Sequence, residues 1–159
     1  VGVGRPAKKA RWERALFILG VCAALLLAAF LQYSAFNNGL YSKSADESVR
    51  TLSAYRLSQQ GFSIPVGVWL PGYQLALGLG LKVWPDLFLM PRVFNSVLGL
   101  LTLAVLGWLA SILFKNRGTV LLTLLLGAAF GPRIVCSVVT FSEIFFAFLL
   151  LTRIDYFAR

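Results

Sequence analysis

The sequence predicts an all-α integral membrane protein: about four transmembrane helices, an extracytoplasmic amphipathic helix and a Pro/Gly-rich interfacial segment. Three observations carry that prediction. Of the 159 residues, 58% are hydrophobic and 13% are charged, whereas a soluble domain carries about 25% charged residues. The mean hydropathy is +0.79, an apolar excess that calls for lipid rather than water as solvent. The basic residues, which give a formal net charge of +9, stand at the ends of apolar runs instead of forming one basic surface. That placement follows the bias of Lys and Arg toward cytoplasmic loops and argues against nucleic acid as a partner.

Residues 1–14 form a basic, cytoplasmic N-terminus that holds Arg5, Lys8, Lys9, Arg11 and Arg14. Residues 15–34 are the first span, uncharged and long enough to cross a hydrocarbon core of about 30 Å. The run exceeds the 7–15 residues (roughly) of a removable signal core. An outer loop follows over residues 35–92. Within it, Ser44-Ala45-Asp46-Glu47 reads as a capping box that opens a surface helix, and Gly61 ends it. Val49, Leu52 and Leu57 give that helix an imperfect apolar face, with Arg50 and Arg56 off it.

Residues 62–84 are apolar enough to span, yet Pro65, Gly67, Pro71, Gly72, Gly78 and Gly80 weaken a regular helix. The segment either stays in the outer interface or crosses and flips every later element. The first arrangement puts nine of the 15 basic residues on the cytoplasmic side and the second puts eight there, so charge favours the first. A second span covers residues 93–114, and Lys115 to Gly118 form a turn short enough to impose an antiparallel hairpin. A third span covers residues 119–136 and is broken or kinked at Gly131-Pro132; a fourth covers residues 141–157. The chain does not begin with Met and stops just past an apolar run, so it reads as a piece of a longer protein.

The absence of histidine removes His-assisted nucleophiles and His metal sites. Cys22 and Cys136 lie inside apolar runs at no metal or disulfide spacing and read as small apolar side chains. Four groups can carry chemistry. Asp46 and Glu47 can take a proton from an acceptor, although acidic residues in a first helical turn also answer to the macrodipole. Glu143 lies near the outer end of its helix, where it either serves function or pairs with Arg133 across a short turn. Arg92, Arg133 and Lys82 suit a phosphate at the interface, against a background of simple snorkelling. Trp69 and Tyr73, in Trp69-Leu70-Pro71-Gly72-Tyr73, fit an aromatic belt or the wall of a groove.

The order of these features resembles the N-terminal module of GT-C glycosyltransferases, multispan enzymes that use polyprenyl- or dolichyl-phosphate sugars. The group includes the protein mannosyltransferases and the bacterial aminoarabinose transferases. The pattern runs from a basic N-terminus and first span to SADESVRTLSAYRLSQQGF. It continues through VWLPGYQLALGLGLKVW and the Arg-led PRVFNSVLGLLTLAVLGWLASILF to FSEIFFAFLLLTRIDYFAR. Many members carry His-Pro-Pro or Lys-Pro-Pro where this chain has Trp69-Leu70-Pro71-Gly72.

The resemblance implies sugar transfer from a polyprenyl-phosphate donor to an acceptor at the extracytoplasmic face, with the donor as the one lipid-linked cosubstrate and no metal. Asp46 is then the favoured base with Glu47 in support, and Arg92 and Arg133 hold the lipid phosphate. It implies a multi-pass protein of the bacterial inner membrane or the endoplasmic reticulum, whose partners are membrane lipid and the missing C-terminal part of the same protein. The rival expectation is a non-enzymatic multispan protein, such as a transporter fragment or structural subunit. A transporter places charges at the midplane between broken helices, whereas the middles of the spans at 15–34 and 93–114 carry none.

Overall fold

The computed structural model describes residues 5–40, 45–60 and 71–158, all of it helix and connecting turns. The helices are α1 (Arg5–Asn37), α2 (Ala45–Gln60), α3 (Pro71–Val83), α4 (Leu89–Leu113), α5 (Arg117–Ala129), α6 (Gly131–Val138) and α7 (Glu143–Ala158). Ser44 of the expected capping box, the expected stop Gly61, Trp69 and the first part of the Pro/Gly-rich segment, residues 62–70, lie outside the described residues.

Helix α1 outruns its expected bounds at both ends and stops where its backbone needs a glycine. Gly39 has φ 86°. Leu40 N–H bonds to Ala35 O and Gly39 N–H to Phe36 O, both at 3.0 Å, the paired closure of a left-handed C-terminal cap. Helix α4 also starts earlier than expected, because Asp86 Oδ1 accepts the N–H groups of Phe88 and Leu89 at 2.8 Å each. The α4–α5 turn is fixed by Asn116, whose Oδ1 accepts Gly118 N–H at 2.9 Å.

Helices α1, α4 and α5 pack side by side around Ala24, Ala28, Leu103, Leu124 and Ala128. Alanines on α1 let the backbones approach, which is how helices associate in lipid. The outward face of α1 stays apolar, with Leu26 70% exposed, as a surface that meets hydrocarbon must. Helix α1 from Arg11 to Asn37 and helix α4 are long and apolar enough to cross a membrane. The pair α5–α6, bent by 56° at Phe130, brings the candidates among the described residues to three. The expected fourth span begins as a helix at Glu143 but has 16 residues, about 24 Å at a rise of about 1.5 Å per residue. That is shorter than a core of about 30 Å, so α7 is a helix without being a qualifying span.

Helices α2 and α3 pack on each other and on the end of the bundle where α4 and α7 begin. Their shared core is Ala54, Tyr73, Leu77 and Leu81, joined by Phe94 and Phe145. The expected apolar face of α2 is corrected here. Val49 and Leu52 point outward, while Glu47, Arg50, Thr51, Ala54 and Leu57 are buried. The inward face is polar at one end because it meets the charged tips of α4 and α7, and apolar at the other because it meets α3.

Candidate functional site

The polar groups at this end are organised by one spacing on α2. Glu47 and Arg50 stand three residues apart, so they share a face, and each is 4% exposed. Arg50 Nη1 donates to Glu143 Oε2 at 3.3 Å, and its guanidinium lies 5.6 Å from the Phe141 ring centre. The ion pair ties α2 to the first turn of α7. Glu143 therefore pairs with Arg50, not with Arg133 as one sequence reading had it. Its side chain is 59% exposed, so the pair is screened on one side and its contribution is small.

Beside this pair lies a cleft of about 280 Å³ lined by Glu47, Ser48 and Thr51 of α2, Phe88 and Arg92 at the start of α4, and Thr140 after α6. Arg92 Nη1 donates to Phe88 O, and its guanidinium sits 3.9 Å from the Phe88 ring centre. Arg92 also lines a second hollow, a groove of about 300 Å³ between α1 and α4. That groove is walled by Ala29, Phe36, Val93, Val97 and Leu100, with Gln32 and Ser96 between them. One cation thus stands where a polar cleft and an apolar groove meet. The chemistry available is a carboxylate that can accept a proton, hydroxyls that can orient a polyol, and a guanidinium that can hold a phosphate.

The other expected residues are dispersed. Asp46 is exposed on the outward side of α2, and the acidic residue that lines the cleft is Glu47. Lys82 is exposed in the last turn of α3. Arg133 is turned into the protein. Its Nε donates to Gly127 O at 2.8 Å, Nη2 to Ala128 O at 2.9 Å and Nη1 to Gly99 O at 3.4 Å. It closes the carbonyl end of α5 where Gly131-Pro132 breaks the helix, a role a cation fills well. Gly99 lies near the middle of α4, so the guanidinium of Arg133, carried by α6, reaches between the helices although the middles of the spans at 15–34 and 93–114 carry no charged residue of their own.

Tyr73 is 2% exposed and donates to Asn95 Oδ1 at 3.0 Å. Burial holds its phenol above the ordinary value, so it remains a neutral donor. Asn95 in turn donates through Nδ2 to Val139 O at 2.7 Å and Phe141 O at 3.0 Å. Sequence reasoning passed over Arg50, Thr51, Asn95 and Thr140. The available signals were the three-residue spacing of Arg50 from Glu47 and the lone amide inside an apolar run.

Apolar helices of membrane-crossing length point to a helical membrane protein, with a charged and hydroxyl-lined cleft at one end of the bundle. The chain matches no protein-family model, no curated protein and no solved structure.

Proposed function

We propose that the chain is the N-terminal module of a membrane glycosyltransferase that moves a sugar from a polyprenyl-phosphate donor to an acceptor at the extracytoplasmic face. The observation that carries the reading is the position of Arg92 in the lining of both the polar cleft and the apolar α1/α4 groove. A lipid monophosphate sugar has the same sequence of parts: hydrocarbon, phosphate, then polyol. The groove accommodates the first isoprene units, Arg92 holds the phosphate, and the sugar meets Glu47, Ser48, Thr51 and Thr140. Glu47 acts as the base that takes the acceptor proton as the acceptor atom bonds to the anomeric carbon, the bond from that carbon to the phosphate oxygen breaks, and lipid phosphate leaves. Arg50 and Glu143 hold α2 in place over the cleft.

In this reading α1, α4 and the bent α5–α6 pair cross the membrane, α7 enters it from the outer face, and α2 and α3 lie at the outer interface. The N-terminus is cytoplasmic. The contact between Arg50 and Glu143 supports one face for α2 and the start of α7. Helix α3 spans 13 residues, about 20 Å, which suits an interfacial element.

The test is photo-crosslinking with a diazirine-bearing polyprenyl phosphate, followed by a transfer assay in native membranes. Label is expected on α1 and α4, reduced about tenfold by Arg92→Gln, given the worth of a hydrogen bond to a charged group. Glu47→Gln is expected to keep the label and to lower transfer by roughly 100-fold or more, the usual contribution of a general base. A chain that captures no polyprenyl phosphate, or transfer indifferent to Glu47→Gln, would sink the proposal.

A further inference from the structure

The opposite end of the bundle carries a different site, built where α1 begins and α4 turns into α5. A hollow of about 500 Å³ is lined by Glu13, Leu16 and Phe17 of α1 and by Lys115, Arg117 and Leu121 of the turn and α5. Its floor is apolar and its rim is cationic. Leu16 is 61% exposed, a large apolar side chain that needs a hydrocarbon neighbour. Arg117 stands over the Phe17 ring, 5.8 Å from its centre, which anchors the guanidinium at the rim of that floor. The Asn116 cap holds the turn that carries Lys115 and Arg117, so their spacing is set before any ligand arrives. Arg11 and Arg14 lie exposed on α1 at the same end. Trp108, 54% exposed and two helical turns back along α4, marks the depth of the lipid–water boundary.

We infer that this hollow binds a phospholipid with a net negative headgroup. The headgroup phosphate meets Lys115 and Arg117, and an acyl chain covers Leu16 and Leu121. Basic residues at a helix end attract anionic lipid in general. What distinguishes this place is an apolar floor directly below two cations held by a capped turn, with a single carboxylate, Glu13, in the same lining. The cleft at the other end mixes Glu47 with Arg92 and lacks that excess of cations. The inference is independent of the sugar-transfer reading, because it concerns other residues at the other end of the molecule.

The experiment is native mass spectrometry of the full chain released from micelles holding equal amounts of phosphatidylglycerol and phosphatidylcholine with the same acyl chains. Retention of phosphatidylglycerol over phosphatidylcholine is expected in the parent protein. Lys115→Gln with Arg117→Gln should cut that preference roughly tenfold, since each surface cation contributes to anionic-lipid attraction. Lys115→Arg with Arg117→Lys should keep it, and Glu13→Gln should raise it. Arg153→Gln, an exposed cation on α7 outside the hollow, should leave it unchanged. Equal retention of the two lipids in the parent overturns the inference. So does a loss with Arg153→Gln equal to that of the double variant, which would mean diffuse attraction without a site. Displacement of the lipid by glycerol 3-phosphate alone would show an anion site that takes no acyl chain and would overturn it as well.

Discussion

Asn95 has no solvent exposure and sits where α3, α4 and the α6–α7 turn converge. Its amide donates to the carbonyls of Val139, Phe141 and, at 3.4 Å, Cys136, while its oxygen accepts from Tyr73. One side chain therefore ties the end of α6 and the α6–α7 turn to α3 and α4. Val139 O keeps the N–H of Phe141 at 2.8 Å, but Asn95→Leu removes the other bonds and leaves the Tyr73 hydroxyl in an apolar setting, at a cost of about 3 kcal/mol. Tyr73→Phe removes one bond from the same cluster and costs about 1 kcal/mol. Thermal unfolding in detergent should rank Asn95→Leu well below Tyr73→Phe, and equal melting temperatures would dissolve the cluster as a stabilising unit. At this scale the sequence was hardest to read. Asp46 and Glu47 are adjacent, and only the facing of α2 decides that Glu47 meets the cleft. The lone amide of Asn95 in an uncharged run was the clearer signal, because a polar group at that depth needs a partner.

Helix α2 owes its seat to a close approach rather than to an apolar stripe. A Cβ on Gly78 would lie 2.9 Å from Ala54 O and 3.7 Å from Leu57 Cβ. The nearest atom is backbone, so it cannot swing aside. Gly78→Ala forces α3 and α2 apart, at a cost of about 1–3 kcal/mol. Gly80→Ala meets only the tip of Met90, a flexible thioether that can yield. Hydrogen exchange is the measurement: Gly78→Ala should speed exchange across α2 while α1 and α4 keep their protection, and Gly80→Ala should do much less. Unchanged α2 protection in Gly78→Ala would mean that the α2–α3 contact does not hold α2 down. The long elements were legible because α1 and α4 each contain an uncharged run of spanning length, residues 15–37 and 93–113. The break between α5 and α6 was legible because proline lacks the N–H that would continue the helix. The face of α2 was not, since its buried side meets residues far along the chain, Gly78 of α3 and Glu143 of α7, which no local period encodes.

Across the whole molecule, the ends of the bundle differ in charge and in what they hold together. Helix α4 has 25 residues, about 37 Å long, and separates the Arg50–Glu143 pair from Lys115. The order of basic residues in the sequence already favoured that division, and the long-range contacts give it a geometry. Cysteine labelling tests it after Cys22→Ala and Cys136→Ala. Single cysteines replace Asp46, Ser142 and Lys115, all outside the apolar stretches of α1 and α4. In sealed vesicles of one orientation, an impermeant maleimide should label Asp46→Cys and Ser142→Cys together. Lys115→Cys should react only from the opposite side. Residue 142 adjoins Glu143, whose contact with Arg50 at 3.3 Å leaves no room for a bilayer between α2 and the start of α7. Labelling of positions 46 and 142 from opposite sides is therefore incompatible with the ion pair. Labelling of all three from one side would mean that α4 does not cross, and would leave the exposed apolar face of α1 in need of a protein partner instead of lipid.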